Sequence, residues 1–275
     1  MGSLSYSPTH AYCSLTLWKS RILSLDSVAK QQMPKDSLPT VAALILAGGN
    51  SRRMGSDKAL VLWEGIPLLR RVAQVAAACA DAVYILTPWP ERYASLVDPG
   101  WHLWRETLPL LAGQDSWGRD SVAEQHRGPL LAFQEGIRRL QTLAAPPEWI
   151  LLLACDLPCL QEQVLGDWRR HLAALPPQTV AALPSRDSVA EQQSQRRWEP
   201  LCGFYRLAQL GSLESFLQAG GRSFQVWLSQ VPTAILPLPV CDGGTESLGR
   251  MLTNCNTPAD LQLGERLGRG DPRDR

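Results

Sequence analysis

Val41-Ala42-Ala43-Leu44-Ile45-Leu46-Ala47-Gly48-Gly49-Asn50-Ser51-Arg52-Arg53-Met54-Gly55-Ser56-Asp57-Lys58 is the stretch that decides the fold. Val41 to Leu46 is short and continuously apolar, the pattern of a strand buried on both faces of a parallel sheet. It stops at Ala47-Gly48-Gly49, where glycine lets the backbone turn sharply and approach a ligand with no Cβ in between. Arg52, Arg53 and Lys58 follow, with Gly55 among them. A glycine turn leaving a buried strand, followed by cations, describes a polyphosphate cradle. Backbone N–H groups donate to phosphate oxygens and the cations neutralise their charge. Neither common phosphate motif fits. A P-loop needs Gly-Lys, and Gly55 is followed by Ser56; the dinucleotide fingerprint needs Gly-x-Gly, and Gly48 and Gly49 are neighbours.

Downstream of the loop, Leu60 to Trp63 reads as a short strand and Glu64-Gly65 as a turn. Pro67 suits the first turn of a helix that runs to about Ala80, with Leu68, Val72, Val75, Ala76 and Cys79 at helical spacing. Val83 to Leu86 is the next buried strand. Strand, helix and strand in this order make both strands parallel and put the glycine loop at a carboxyl end, where open α/β sheets bind ligands. Trp101 to Arg105 is a third strand. Glu106 to Gly128 is long and polar, and reads as a segment that moves or closes over the site. Pro129 opens a helix through Phe133, Ile137 and Leu140.

Trp149 to Ala154 is the most hydrophobic strand and should be central. It ends in Cys155-Asp156-Leu157-Pro158, which places a carboxylate at the edge that carries the glycine loop. Hard carboxylate oxygen suits Mg²⁺, so Asp156 is the candidate metal ligand. The alternative is a helix cap for the segment that begins near Gln161. Cys155 and Cys159 have His171 after them but no fourth ligand, and read as packing residues. Val164 to Leu175 is a helix, Thr179 to Leu183 a strand, and Ser185 to Arg197 a polar loop. Trp198 to Tyr205 is a returning strand. Leu213 to Leu217 and Phe224 to Leu228 belong to two short helices. Thr233 to Leu238 is an edge strand because of Pro237 and Pro239. Thr257 and Pro258 cap and open a last helix. Asn254 and Asn256 before it serve either turn chemistry or substrate contact.

Alternating strands and helices define an α/β fold with a mainly parallel sheet in three layers. Composition agrees with a globular chain: of 275 residues, 45% are hydrophobic and 19% charged. A net charge of +1 argues against nucleic acid or an acidic membrane as the main partner. Seven cysteines in apolar settings fit reduced thiols and a cytoplasmic location better than a disulfide framework. The first 32 or so residues lack periodicity and an apolar signal core. Tyr6 stands where a myristoylation signal needs Ser or Thr. Lys19, Arg21 and Lys30 give a faint transit-peptide look, but an over-extended frame with Met33 as the start is the simpler expectation.

The loop resembles the nucleotidyltransferase signature Leu-Ala-Gly-Gly-x-x-x-Arg-Met-Gly-x-Asp-Lys. The match covers Leu46, Ala47, Gly48, Gly49, Arg53, Met54, Gly55, Asp57 and Lys58. In particular it is similar to the molybdenum cofactor guanylyltransferase family, as are Gly128-Pro129-Leu130 and the asparagine pair. The resemblance spans roughly residues 41 to 265. It implies a Rossmann-like nucleotidyltransferase domain over residues 39–265, with residues 1–38 disordered or over-extended and 266–275 a frayed tail. It implies transfer of GMP from GTP to molybdenum-bound molybdopterin, with release of pyrophosphate. Lys58, Arg53 and Asp156 would be catalytic. Leu46, Ala47, Gly48, Lys58 and Asp156 would bind GTP, with Mg²⁺ on Asp156. Partners would be GTP, molybdopterin and molybdoenzyme apo-proteins that receive the cofactor, with neither nucleic acid nor membrane.

The sequence departs from the family pattern after the third strand. An aspartate that touches the nucleotide is expected there, and Glu106, Asp115 and Asp120 all compete for the role. Two other functions stand beside the first. One is a cytidylyltransferase on molybdopterin, or a sugar-phosphate or isoprenoid nucleotidyltransferase. CTP-using relatives tend to carry Leu-Ala-Ala-Gly where this chain has Leu46-Ala47-Gly48-Gly49. The other is a non-catalytic nucleotide-binding regulator, which would have no use for a metal-bearing Asp156.

Overall fold

The structure is a computed structural model that describes residues 38–48, 57–107, 128–185, 197–236 and 251–252. In chain order the strands and helices are β1 (Val41–Leu46), β2 (Leu62–Trp63), β3 (Ile66–Pro67), α1 (Leu68–Cys79), β4 (Ala82–Thr87), α2 (Pro90–Tyr93) and β5 (Trp101–Arg105). They continue as α3 (Pro129–Gln141), β6 (Trp149–Ala154), α4 (Glu162–Leu172), β7 (Ala181–Leu183), β8 (Cys202–Arg206), α5 (Gly211–Gln218), α6 (Phe224–Leu228) and β9 (Thr233–Ile235). All of them belong to the unit that begins at Pro39.

Among the described residues one sheet runs β5-β4-β1-β6-β8-β7-β9. β1 pairs in parallel with both β4 and β6, and β4 with β5. β8 is antiparallel to β6 and β7, and β9 returns parallel to β7. The sheet is therefore mixed but largely parallel, and the hydrophobic β6 takes the middle position that its composition predicts.

Strand periodicity builds the layers. Val41, Ala43 and Ile45 of β1 pack with Leu69, Val72 and Ala76 of α1 and with Leu165 and Trp168 of α4. Their neighbours Ala42 and Leu44 pack on the other face with Phe133, Ile137 and Leu140 of α3 and with Phe224 and Trp227 of α6. Both faces are thus covered by helices, which is why β1 and β6 read as unbroken apolar runs. Burying each large side chain stabilises the fold by about 1.5–3 kcal/mol.

The structure corrects several local expectations. Leu60 is not in a strand, because Lys58–Leu60 forms a 3-10 turn. β2 and β3 instead make a two-residue-per-strand hairpin around Glu64 and Gly65, both at positive φ. Pro67 ends β3 and caps α1 rather than lying in its first turn. α4 stops at Leu172, short of the expected Leu175, and β7 begins at Ala181 rather than Thr179. Trp198 only bridges to Ser185, and the returning strand starts at Cys202. The expectations for residues 1–37, 237–250 and 253–275, for the polar loop at 186–196, and for Arg53, Asp115 and Asp120 lie outside the described residues.

The chain order explains where a ligand can bind. From β1 the chain moves to β4 and β5 on one side, then crosses back to β6 on the other. The carboxyl ends of β1 and β6, neighbours in the sheet, therefore lie at the switch point where the strand order reverses, the place where open α/β sheets bind ligands. No helix among the described residues is long and apolar enough to cross a membrane.

Candidate active site

The two segments singled out from the sequence meet at this switch point. Leu46 and Ala154 are register partners, and the Cys155 N–H donates to the Leu46 carbonyl at 3.3 Å. Lys58 and Asp156 stand 98 positions apart in the chain, yet Lys58 Nζ donates to Asp156 Oδ2 at 3.3 Å. Their side chains keep 20% and 16% exposure, enough for both to be reached by a ligand. α4 begins beyond Asp156 with Gln161 as its cap. Asp156 is therefore not that helix's cap, and its carboxylate faces the lysine.

The turn that carries Lys58 is held on several sides. Asp57 caps it, with Oδ1 accepting from the Ala59 N–H at 3.1 Å. Asp57 Oδ2 accepts from the Tyr93 hydroxyl at 2.7 Å, and Arg92 lies 3.7 Å from the same oxygen. Arg71 of α1 ties the following hairpin to the loop after Asp156. Its Nε donates to the Pro158 carbonyl at 2.6 Å and its Nη1 to Glu64 Oε2 at 3.3 Å. The sequence assigned no role to Tyr93, Arg92 or Arg71. The signal that could have found Tyr93 is an aromatic just past the carboxyl end of β4, the same sheet edge as the glycine loop.

Of the proposed nucleotide-contacting backbone groups, the sheet already uses two. The Ala47 N–H donates to the Leu86 carbonyl at 2.9 Å, and the Leu46 carbonyl takes the Cys155 N–H. The Ala47 carbonyl and Gly48 lie beyond these ladder bonds, at the mouth of the crevice. Glu106 is drawn to the same place. Its N–H donates to the Thr87 carbonyl at 2.7 Å, and its Oε2 would stand 3.0 Å from a Cβ on Gly48. Of the three competing carboxylates, Glu106 is the one that the described residues place beside the glycine turn.

The charges leave a mark on Cys155, whose thiol is pushed up to about 12, mainly by burial and then by the Asp156 and Asp57 carboxylates, against the pull of Lys58. Burial and the bond to Asp57 likewise raise the Tyr93 phenol well above its ordinary range. None of Cys79, Cys155, Cys159 and Cys202 is in a disulfide. Among the described residues no group of three or more His, Cys, Asp or Glu could hold a metal alone. One carboxylate at a strand end still suits a divalent ion that takes its remaining ligands from water and phosphate, as Mg²⁺ does.

Solved structures share this architecture. Molybdopterin-guanine dinucleotide biosynthesis protein A from Archaeoglobus fulgidus superposes with a TM-score of 0.58 at 18% identity, covering 83% of this chain and 99% of its own. The 4-diphosphocytidyl-2C-methyl-D-erythritol synthase of Anaerococcus prevotii does so with a TM-score of 0.56 at 11% identity, covering 85% and 97%. The fold is that of the Rossmann-like nucleotidyltransferases. At the level of sequence, the family model for the MobA-like NTP transferase domain matches residues 43–231. A Nostoc protein described as a probable molybdenum cofactor guanylyltransferase is 43% identical over 223 residues, 81% of this chain and 89% of that protein. The chain belongs to the MobA-like molybdenum cofactor guanylyltransferase family.

Proposed function

We propose that this protein transfers GMP from GTP to the terminal phosphate of molybdopterin, forming the guanine dinucleotide cofactor and releasing pyrophosphate. The observation that supports the reading is the Lys58–Asp156 pair at the switch point, 3.3 Å apart, in a chain 43% identical to a probable guanylyltransferase. A molybdopterin phosphate oxygen attacks the α-phosphorus of GTP, and the bond to the β-phosphate oxygen breaks in line with it. Both reactants are anions, so charge neutralisation is the largest contribution the protein can make.

Lys58 offsets charge on the triphosphate. Arg53, by its place in the motif, grips two phosphate oxygens at once. Asp156 is the ligand for Mg²⁺, which when bound would neutralise the α-phosphate and orient the attacking oxygen. Lys58 Nζ lies 3.3 Å from Asp156 Oδ2, so its charge and the metal-holding carboxylate would face the same triphosphate. The Ala47 carbonyl and Gly48 read the guanine edge, and Glu106 is the second nucleotide-contacting carboxylate. The finished cofactor passes to apo-molybdoenzymes in the cytoplasm.

A 4-diphosphocytidyl-2C-methyl-D-erythritol synthase shares the fold, so the fold does not choose the base, and we assign that choice to the glycine turn. The test is to incubate the protein with molybdopterin, Mg²⁺ and each nucleoside triphosphate in turn and to follow pyrophosphate. Release with GTP well above CTP is expected. A preference for CTP would overturn the assignment, and binding without release would make the protein a nucleotide-binding regulator.

A further inference from the structure

Tyr93 makes no part of the glycine loop, yet it reaches the site from the core. It is 1% exposed, and its hydroxyl donates to Asp57 Oδ2 at 2.7 Å. We propose that Tyr93 is a positioning residue for Lys58, acting through Asp57 to fix the turn from which the ammonium is presented to the triphosphate. The inference rests on the guanylyl-transfer reading above.

Each link is a short contact. Asp57 binds its own turn through Oδ1, at the Ala59 N–H. The Asp57 carbonyl accepts from the Leu60 N–H and the Lys58 carbonyl from the Val61 N–H, both at 3.1 Å, so Lys58 lies inside a closed turn. This closed turn is a single 3-10 turn of three residues. Ala59 is buried in the core and the Val61 carbonyl takes the Leu68 N–H, while Oδ2 ties the side of the turn that leads into Lys58 to Tyr93, the last residue of α2. The second group near Oδ2, Arg92, is 52% exposed and 3.7 Å away, with its guanidinium lying over the Trp89 ring. It adds charge, but solvent screens it. Lysine carries its charge on a flexible four-carbon stem, so the direction in which its backbone launches it decides where the charge dwells. The groups that face the phenol are Asp57, Arg92 and Cys155. In that setting the hydroxyl keeps its proton and remains a donor across the working pH range.

Tyr93→Phe removes the hydroxyl and leaves the ring to pack. The experiment is a double-mutant cycle with Lys58→Ala, reading kcat/KM for GTP by pyrophosphate release below the thermal midpoint of every variant. Tyr93→Phe should lower kcat/KM about tenfold in the wild-type background, the scale of a misplaced catalytic group. In the Lys58→Ala background the same change should cost less than about twofold. Equal losses in both backgrounds, or no loss in either, would overturn the proposal, because packing alone does not depend on Lys58. If the wild type releases no pyrophosphate, the functional reading fails and the positioning role is read from binding. Tyr93→Phe should then weaken GTP about tenfold and leave guanosine unchanged. Equal effects on GTP and guanosine would overturn it.

Discussion

Glu106 closes against Gly48: a Cβ on the glycine would stand 3.0 Å from Glu106 Oε2 and 3.1 Å from Pro88 Cδ. The absent side chain is what lets the carboxylate lie over the turn. The sequence alone suggests that Gly48 leaves room for a ligand; the structure adds a protein neighbour at the missing Cβ. A carboxylate can swing away, but the Pro88 ring is bonded directly to Thr87 at the end of β4 and yields less.

Gly48→Ala is therefore expected to displace Glu106 and narrow the passage to the base together. We expect kcat/KM for GTP to fall by about 1–3 kcal/mol in transition-state terms, and the preference for GTP over CTP to narrow. Steady-state kinetics with both nucleotides check it. Unchanged GTP kinetics would mean that neither the base nor Glu106 depends on this turn.

Most of what positions the site was legible in the sequence because parallel strands covered on both faces are written as continuous apolar runs. Val41 to Leu46 and Trp149 to Ala154 are such runs, and both end in polar chemistry. From the rule that ligands bind at carboxyl ends, Lys58 and Asp156 could be assigned to one crevice although they stand 98 positions apart in the chain. The hairpin at Leu62 to Pro67 was only half visible, since two residues per strand carry no periodicity. The Tyr93–Asp57 bond was not visible at all. It joins a four-residue helix to a three-residue turn, and neither has a pattern that says which way its side chains point. Nor could spacing choose among Glu106, Asp115 and Asp120, because the choice depends on which backbone lies next to Gly48.

Asp156 and Lys58 should separate kinetically. Asp156→Asn keeps the size of the side chain but loses the charge that a divalent ion needs. It should slow guanylyl transfer by at least ~100-fold while the protein still binds guanosine, the loss typical of one electrostatic catalytic contact. Lys58→Ala should raise KM and lower kcat together, because its charge meets the triphosphate both before and during transfer. Pre-steady-state measurements in saturating Mg²⁺ distinguish the two. A near wild-type rate for Asp156→Asn would remove it from the chemistry.

Cys155 gives the site a pH signature in stability. Its N–H holds the Leu46 carbonyl, and burial with the flanking carboxylates raises its thiol from an ordinary 9.0 to about 12. Cys79 moves the same way, to about 11, through burial and Glu162. Below pH 9 the thiol is protonated in both folded and unfolded chains, so its contribution is fully present. Above pH 9 the unfolded chain loses the proton first and is stabilised relative to the fold. Stability is therefore lost as pH rises through this window towards the folded value. At pH 10.5 the loss from Cys155 should be roughly 1–2 kcal/mol, a fall of a few degrees in thermal midpoint. Other groups also titrate there, so the check is a comparison of slopes between pH 8 and pH 10.5. Cys155→Ala should have a shallower decline than wild type. Asp156→Asn, which removes one of the carboxylates holding the thiol protonated, should be shallower by a smaller amount. If Cys155→Ala and wild type decline in parallel, the thiol does not carry the effect, and the charges of Asp57 and Asp156 are better screened from it than their positions in the crevice imply.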